Sequence, residues 1–157
     1  MNRVNWKKLA VCVGIPLLVG AVSSLLTKGE MESFSKLNQP ALSPPGWLFP
    51  VVWTILYVLM GVASYLVDVS GAQEDVKGRS LLLYGVQLFF NFWWSLFFFK
   101  WHFFLFSFLW LLGLWFLILL NIKSFLRISK IAGRLLIPYL LWVTFAAYLN
   151  WGIFLLN

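Results

Sequence analysis

The sequence predicts an all-α membrane protein, a single domain spanning residues 1–157 in which five transmembrane helices form a bundle, with a long external loop between the first and second. The residues are 62% hydrophobic and only 11% charged, where an ordinary soluble domain has roughly 25% charged. The charges cluster and leave long uncharged stretches that place helices at about 9–27, 47–67, 81–99, 103–122 and 135–156, each close to the ~20 residues a spanning helix needs. These stretches are apolar on nearly all sides, which excludes a β-barrel, whose strands are about 10 residues of alternating polarity.

The first stretch follows Arg3, Lys7 and Lys8. Its apolar run exceeds the ~7–15 residues of a secretory h-region and no small-x-small cleavage site follows, so it is expected to remain as a true helix. Cys12, the single cysteine, excludes an intrachain disulfide and a thiolate metal site; it reads as a small buried hydrophobe. Residues 28–46, KGEMESFSKLNQPALSPPG, mix both charge signs with three prolines. A connection of that length is often a functional lid.

The second stretch starts after Pro44, Pro45 and Gly46 and places Trp53, Tyr57, Met60 and Ser64 on one helical face by their spacing of four, three and four. Trp47 reads as an interfacial residue, as does Trp151 at the other end of the chain. Residues 68–80 read as a solvated turn region. In the third stretch Gln87, Asn91 and Ser95 recur every four residues beside Trp94 and Phe98. The connection around Lys100 and His102 is so short that the third and fourth helices must be antiparallel neighbours, and His102 reads as a surface residue. Residues 123–134 form a basic loop that anchors topology. The fifth stretch presents Trp142, Ala146 and Leu149 on one side, with Tyr139 and Asn150 close by. Lipid offers amides no partner, so Gln87, Asn91 and Asn150 are expected to point into the bundle, where Ser, Asn and Gln commonly join helices.

The net charge of +7 follows topology. Nine of the 12 Lys and Arg fall on one side of the five spans and three on the other, which puts the N-terminus and the second and fourth loops in the cytoplasm and the C-terminus outside. Recognition elements for nucleic acid are missing. No ionisable residue lies in the middle of any stretch, against a coupled ion pump, and no internal repeat supports an inverted-repeat transporter. No hydrolytic motif or metal-binding pattern is present.

PPGWLFPVVWTILYVLMGVASYLV, QLFFNFWWSLFF and PYLLWVTFAAYLNWGIFLLN together resemble the translocator protein family (TspO/MBR), also called tryptophan-rich sensory proteins or peripheral-type benzodiazepine receptors, over essentially the whole chain. The resemblance implies a homodimer of five-helix bundles in a bacterial cell membrane. It also implies a pocket capped by the first loop that takes tetrapyrroles, protoporphyrin IX or haem as ligand or substrate rather than resident cofactor, and ligands of the isoquinoline carboxamide or benzodiazepine type. Bacterial members are associated with light-dependent degradation of protoporphyrin, in which two tryptophans are implicated; Trp53 and Trp142 match them. Asn91, Trp94, Ala146 and Leu149 match pocket positions, Pro44 and Pro45 match the loop end that closes it, and Tyr57 joins them from the face of the second helix.

The residue chemistry is compatible. Indole rings stack on a flat macrocycle, and Lys28 or Lys36 would attract its carboxylates. Two other readings rest on the same residues: passive transport or export of porphyrins, and a ligand-responsive sensor acting through a partner. No basic residue follows Arg134, so the forward cholesterol pattern is absent and steroid handling is not expected.

Overall fold

The computed structural model describes residues 3–157. Its elements in chain order are α1 (Trp6–Leu26), α2 (Glu30–Ser35), α3 (Leu48–Asp68), α4 (Glu74–Ser95), α5 (Phe104–Ile128), α6 (Lys130–Leu135) and α7 (Ile137–Leu156), with one π-helical turn, Leu96–Lys100, prolonging α4. Five segments are long and apolar enough to cross a membrane, α6 and α7 counting as one. This is an integral membrane protein built as a five-span helical bundle.

The apolar stretches became helices, but the charged segments between them are more helical than their composition suggests. Residues 68–80 shrink to a short turn, because α4 already begins at Glu74. Glu74 and Asp75 occupy its first turn, where negative charge suits the helix dipole. They pair with Lys77 at 3.3 Å and Arg79 at 3.1 Å. Residues 123–134 are likewise helix rather than loop: α5 runs on to Ile128, and the break falls at Ser129, whose backbone is extended at φ −147° and ψ 120°. Its hydroxyl oxygen accepts from the Ala132 N–H at 3.2 Å and so caps α6. Within residues 28–46, Gly29 takes φ 89° to start α2, a conformation that glycine adopts without strain.

Helix α1 lies along α3, α4 along α5, and α5 along α7. The α1–α3 approach depends on Gly61, where a Cβ would run into the backbone of Cys12 and Val13; Cys12 is half-buried at this seam rather than enclosed. At the same end Lys8 pairs with Asp68 at 2.8 Å, and the Asn5 N–H donates to the Tyr65 hydroxyl at 3.0 Å. At the opposite end the first loop is strapped to α7. Asn157 Nδ2 donates to the Asn38 carbonyl at 2.9 Å, Asn157 Oδ1 accepts from the Asn38 N–H at 3.2 Å, and the Tyr148 hydroxyl donates to the Ala41 carbonyl at 2.8 Å. The inward faces follow the expected phase: Tyr57, Met60, Ser64, Gln87, Asn91, Ala146, Leu149 and Asn150 are all buried. Helix α1 is the exception, with only Pro16 and Ser23 buried.

Gly61→Val tests the seam. Forcing a branched side chain between two backbones typically costs about 1–3 kcal/mol, so the variant is expected to unfold several degrees below the parent when heated in detergent, whereas Gly85→Ala, inside α4 with a Cβ that meets nothing within 4 Å, should leave the midpoint in place or raise it.

Candidate functional site

Between α1 and α3, beneath α2 and the first loop, lies a cavity of about 940 Å³, near the upper end of the roughly 300–1,000 Å³ usual for small-molecule sites. Helix α3 supplies Phe49, Trp53 and Tyr57 to its wall; α1 supplies Leu17, Gly20 and serines 23 and 24; Ser95 and Phe99 come from the end of α4 and its π turn. Phe34 of α2 closes the roof, with its ring 5.9 Å from Phe49 and 5.3 Å from Phe99. Pro44 and Pro45 line the loop side. Lys28 is the one charged residue among those lining the cavity.

The α3 wall is held rigidly from behind. Trp53 stacks on Tyr57 with centroids 5.6 Å apart and meets Tyr139 edge-on at 6.2 Å. The Tyr57 hydroxyl donates to Asn91 Oδ1 at 2.8 Å, Asn91 Nδ2 donates to the Tyr139 hydroxyl at 2.8 Å, and Tyr139 donates to Gln87 Oε1 at 2.7 Å. A second knot forms one turn along: Trp94 Nε1 and the Ser107 hydroxyl both donate to Asn150 Oδ1 at 3.1 Å, while Asn150 Nδ2 donates to the Phe104 carbonyl at 2.9 Å. Buried amides require such partners. Gly20 matters on the facing wall, because a Cβ there would collide with the Tyr57 ring.

The residues singled out from sequence divide by position. Pro44, Pro45, Trp53 and Tyr57 line the cavity. Asn91 and Trp94 stand one layer behind, Asn91 bonded to Tyr57 and Trp94 with its ring 6.3 Å from Trp53. Trp142 is on the far side of Phe49, the ring centroids 6.0 Å apart, and faces a shallower groove of about 400 Å³ with Val52, Leu56, Pro138 and Leu141. Its Nε1 is buried without a protein partner. Ala146 and Leu149 are buried but border neither space. Lys28 reaches the lining, whereas Lys36 is exposed beside Glu32. His102 is partly buried rather than freely exposed, held at φ 55° with its ring stacked on Phe104 at 5.5 Å.

The α1 wall went unseen in the sequence. The run Gly20, Ala21, Ser23, Ser24, small residues inside a Leu- and Val-rich helix, was the available signal. Among the described residues no three His, Cys, Asp or Glu side chains converge. The lining offers aromatic faces, hydroxyls and one cation.

The Tyr57–Asn91 contact has a measurable weight. Asn91→Leu strands the buried Tyr57 hydroxyl, at about 1–3 kcal/mol for each orphaned group, and is expected to lower the unfolding midpoint. Adding Tyr57→Phe should recover part of that loss; a double variant no more stable than Asn91→Leu alone would contradict the assignment.

The TspO/MBR family model matches residues 12–156. A tryptophan-rich protein TspO from Chlorobaculum tepidum is 41% identical over 150 residues, covering 95% of each chain. A tryptophan-rich sensory protein from Cereibacter sphaeroides is 36% identical over 149 residues, covering 95% of this chain and 88% of its own. A translocator protein from Sus scrofa is 32% identical over 141 residues, covering 87% and 82%.

Proposed function

Because the chain belongs to the TspO/MBR family, we propose that it is a tetrapyrrole-binding membrane protein that promotes light-dependent oxidation of a bound porphyrin. The observation that carries this reading is Trp53, whose indole stands on the wall of a loop-roofed cavity that has Lys28 as its one cation. A porphyrin is a flat aromatic disc with carboxylates on one edge. Trp53 offers the face on which such a disc stacks, and Lys28 offers a charge for its acidic edge.

When light excites the bound macrocycle, the Trp53 indole gives it one electron. Dioxygen takes the electron from the porphyrin radical anion and becomes superoxide, the indole radical cation recovers an electron from the porphyrin, and superoxide adds to the porphyrin radical cation so formed, so that one dioxygen oxidises the ring and the indole is restored. Trp142, separated from the cavity by Phe49, is a second electron donor rather than a contact. In the membrane, the N-terminus faces the cytoplasm and the cavity mouth the outside, a reading supported by the nine basic residues at the end opposite the first loop through the positive-inside rule. The bilayer is a bacterial cell membrane, and two copies associate as a homodimer.

Illuminating purified protein with protoporphyrin IX, against a dark control, tests the reaction through loss of porphyrin fluorescence. Trp53→Phe combined with Trp142→Phe is expected to stop light-driven consumption while the fold persists, and an unchanged rate in that variant would sink the redox assignment. The single variants should separate the two roles. Trp53→Ala is expected to weaken binding by about 2–10-fold, the value of one aromatic contact of ~0.5–1.5 kcal/mol, whereas Trp142→Phe should slow the photoreaction and leave affinity within about twofold, since its ring does not line the cavity. Lys28→Gln should weaken binding by a few-fold at most, an exposed pair contributing about 0–1 kcal/mol, with the difference vanishing as salt is added.

A further inference from the structure

The basic residues at the end of the bundle opposite the first loop divide into two groups. Three of the five acidic side chains lie at this end, and each has a cation of its own: Asp68 pairs with Lys8, Glu74 with Lys77 and Asp75 with Arg79. The other two, Glu30 and Glu32, belong to α2 at the opposite end. Lys123 and Arg127 of α5 and Lys130 and Arg134 of α6 therefore have no carboxylate left to meet. All four are exposed, and among the described residues none of them is in an ion pair.

Spacing shows what these cations adjoin. Phe116, Leu120, Lys123 and Arg127 follow one another at intervals of four, three and four, so they share one face of α5, and Phe116 and Leu120 are exposed, as a face turned to lipid is. Lys130 and Arg134 precede the exposed Ile137 and Leu141 of α7 at the same intervals; the backbone stays right-handed through Leu136 at φ −87° and ψ −10°, which carries the register from α6 into α7. Each pair of cations thus prolongs a lipid-facing stripe beyond its apolar part. The break at Ser129 brings the two pairs together. Helix α6 folds back until Gly133 lies on Leu126, where a Cβ would run into the Leu126 side chain and backbone nitrogen, and Arg127 and Arg134, each the next residue in the chain, flank that contact. Leu126 and Ile131 stand exposed among the charges.

We propose that Lys123, Arg127, Lys130 and Arg134 form a docking surface for the headgroups of anionic phospholipids. The occupant follows from position. The charges stand where two lipid-facing stripes leave the hydrocarbon, and long basic side chains there lay their stems on apolar surface while their heads reach the phosphates. Leu126 and Ile131 suit the acyl chains of the same lipid, whereas a soluble acidic partner offers them nothing. Clusters of roughly four to eight Lys and Arg beside a span attract anionic lipid, and the arginine fork takes two phosphate oxygens at once. Membrane orientation by itself asks only for positive charge on this side. It does not ask that the charge be free of carboxylates, gathered on two adjoining stripes and interleaved with apolar groups.

Native mass spectrometry of the full chain in a neutral detergent, titrated with dioleoylphosphatidylglycerol or dioleoylphosphatidylcholine, tests the surface. The first phosphatidylglycerol is expected to bind about fivefold more tightly than the first phosphatidylcholine, the worth of roughly one cation near a charged headgroup, and the preference should shrink as salt is added. Arg127→Gln/Arg134→Gln should reduce it to about twofold or less, while Arg3→Gln/Lys7→Gln, which removes equal charge from the same end, should keep it. All four positions are exposed, so both variants are expected to unfold at the parent's midpoint. Equal affinity for the two lipids in the unaltered protein overturns the proposal, a measurement that needs no variant at all. An equal loss in both variants overturns it as well, because the attraction would then be diffuse. A short poly-glutamate peptide probes the other class of partner: if it binds and Arg127→Gln/Arg134→Gln releases it, with no preference between the lipids, the surface belongs to an acidic protein instead.

Discussion

Everything near the cavity depends on where one buried amide can find partners. Asn91 sits in the bundle with 1% of its surface exposed, in surroundings that offer it neither water nor polar lipid. Its oxygen accepts from Tyr57 on α3, and its nitrogen donates to Tyr139 on α7. That pair of bonds sets the rotation of α4 about its own axis, because turning the helix would leave a donor and an acceptor unpaired in an apolar medium. With the rotation set, the next turn follows: Trp94 lands on Asn150, and Ser95 reaches the cavity. One residue thus links three spans and aims the side chains a turn away.

The enclosure around the cavity is unequal as a result. Its α3 wall is backed by two hydrogen-bonded knots that cross the bundle. Its α1 wall belongs to a helix with two buried residues, held by close backbone approach, apolar contact and, at the end away from the cavity, the Lys8–Asp68 pair and the Asn5–Tyr65 bond. The roof is intermediate: Phe34 packs among Phe49, Phe98 and Phe99, while the segment from Asn38 to Ala41 is tied to α7 by hydrogen bonds. The α3 side of the cavity is thus its firmly braced side, and the α1 wall and the roof are held by fewer polar contacts.

Much of this was legible in the sequence, for identifiable reasons. Amides in apolar helices have few places to go, so Gln87, Asn91 and Asn150 could be placed inside from their identity alone, and the spacing of Trp53, Tyr57, Met60 and Ser64 gave the inward face of α3. Periodicity reports which face turns inward, however, and not what that face meets there. Ala146 and Leu149 turn inward and end among packed side chains, while Trp142 fronts a separate groove. Nor does composition distinguish charged helix ends from loops: Glu74, Asp75, Lys123 and Arg127 are hydrophilic and helical together, because ion pairs to Lys77 and Arg79 support the acidic first turn of α4 and Arg127 in the last turn of α5 suits the helix dipole. The α1 wall escaped notice because small residues in a transmembrane helix signal close approach in general; Gly20 does admit the Tyr57 ring, but Ala21, Ser23 and Ser24 border the cavity.

The contact at Gly61 has a mechanical consequence. It presses α3 against the Cys12–Val13 backbone, while the cavity opens between the same two helices farther along, at Gly20 and Trp53. The pair therefore works as a lever about a fulcrum. Trp53 lies two helical turns from Gly61, about 12 Å at 1.5 Å per residue, so a tilt of a few degrees at the fulcrum displaces the facing wall by a sizeable fraction of an ångström. The gape between the two helices is thus tied to their crossing angle at Gly61, a residue that takes no part in lining the cavity.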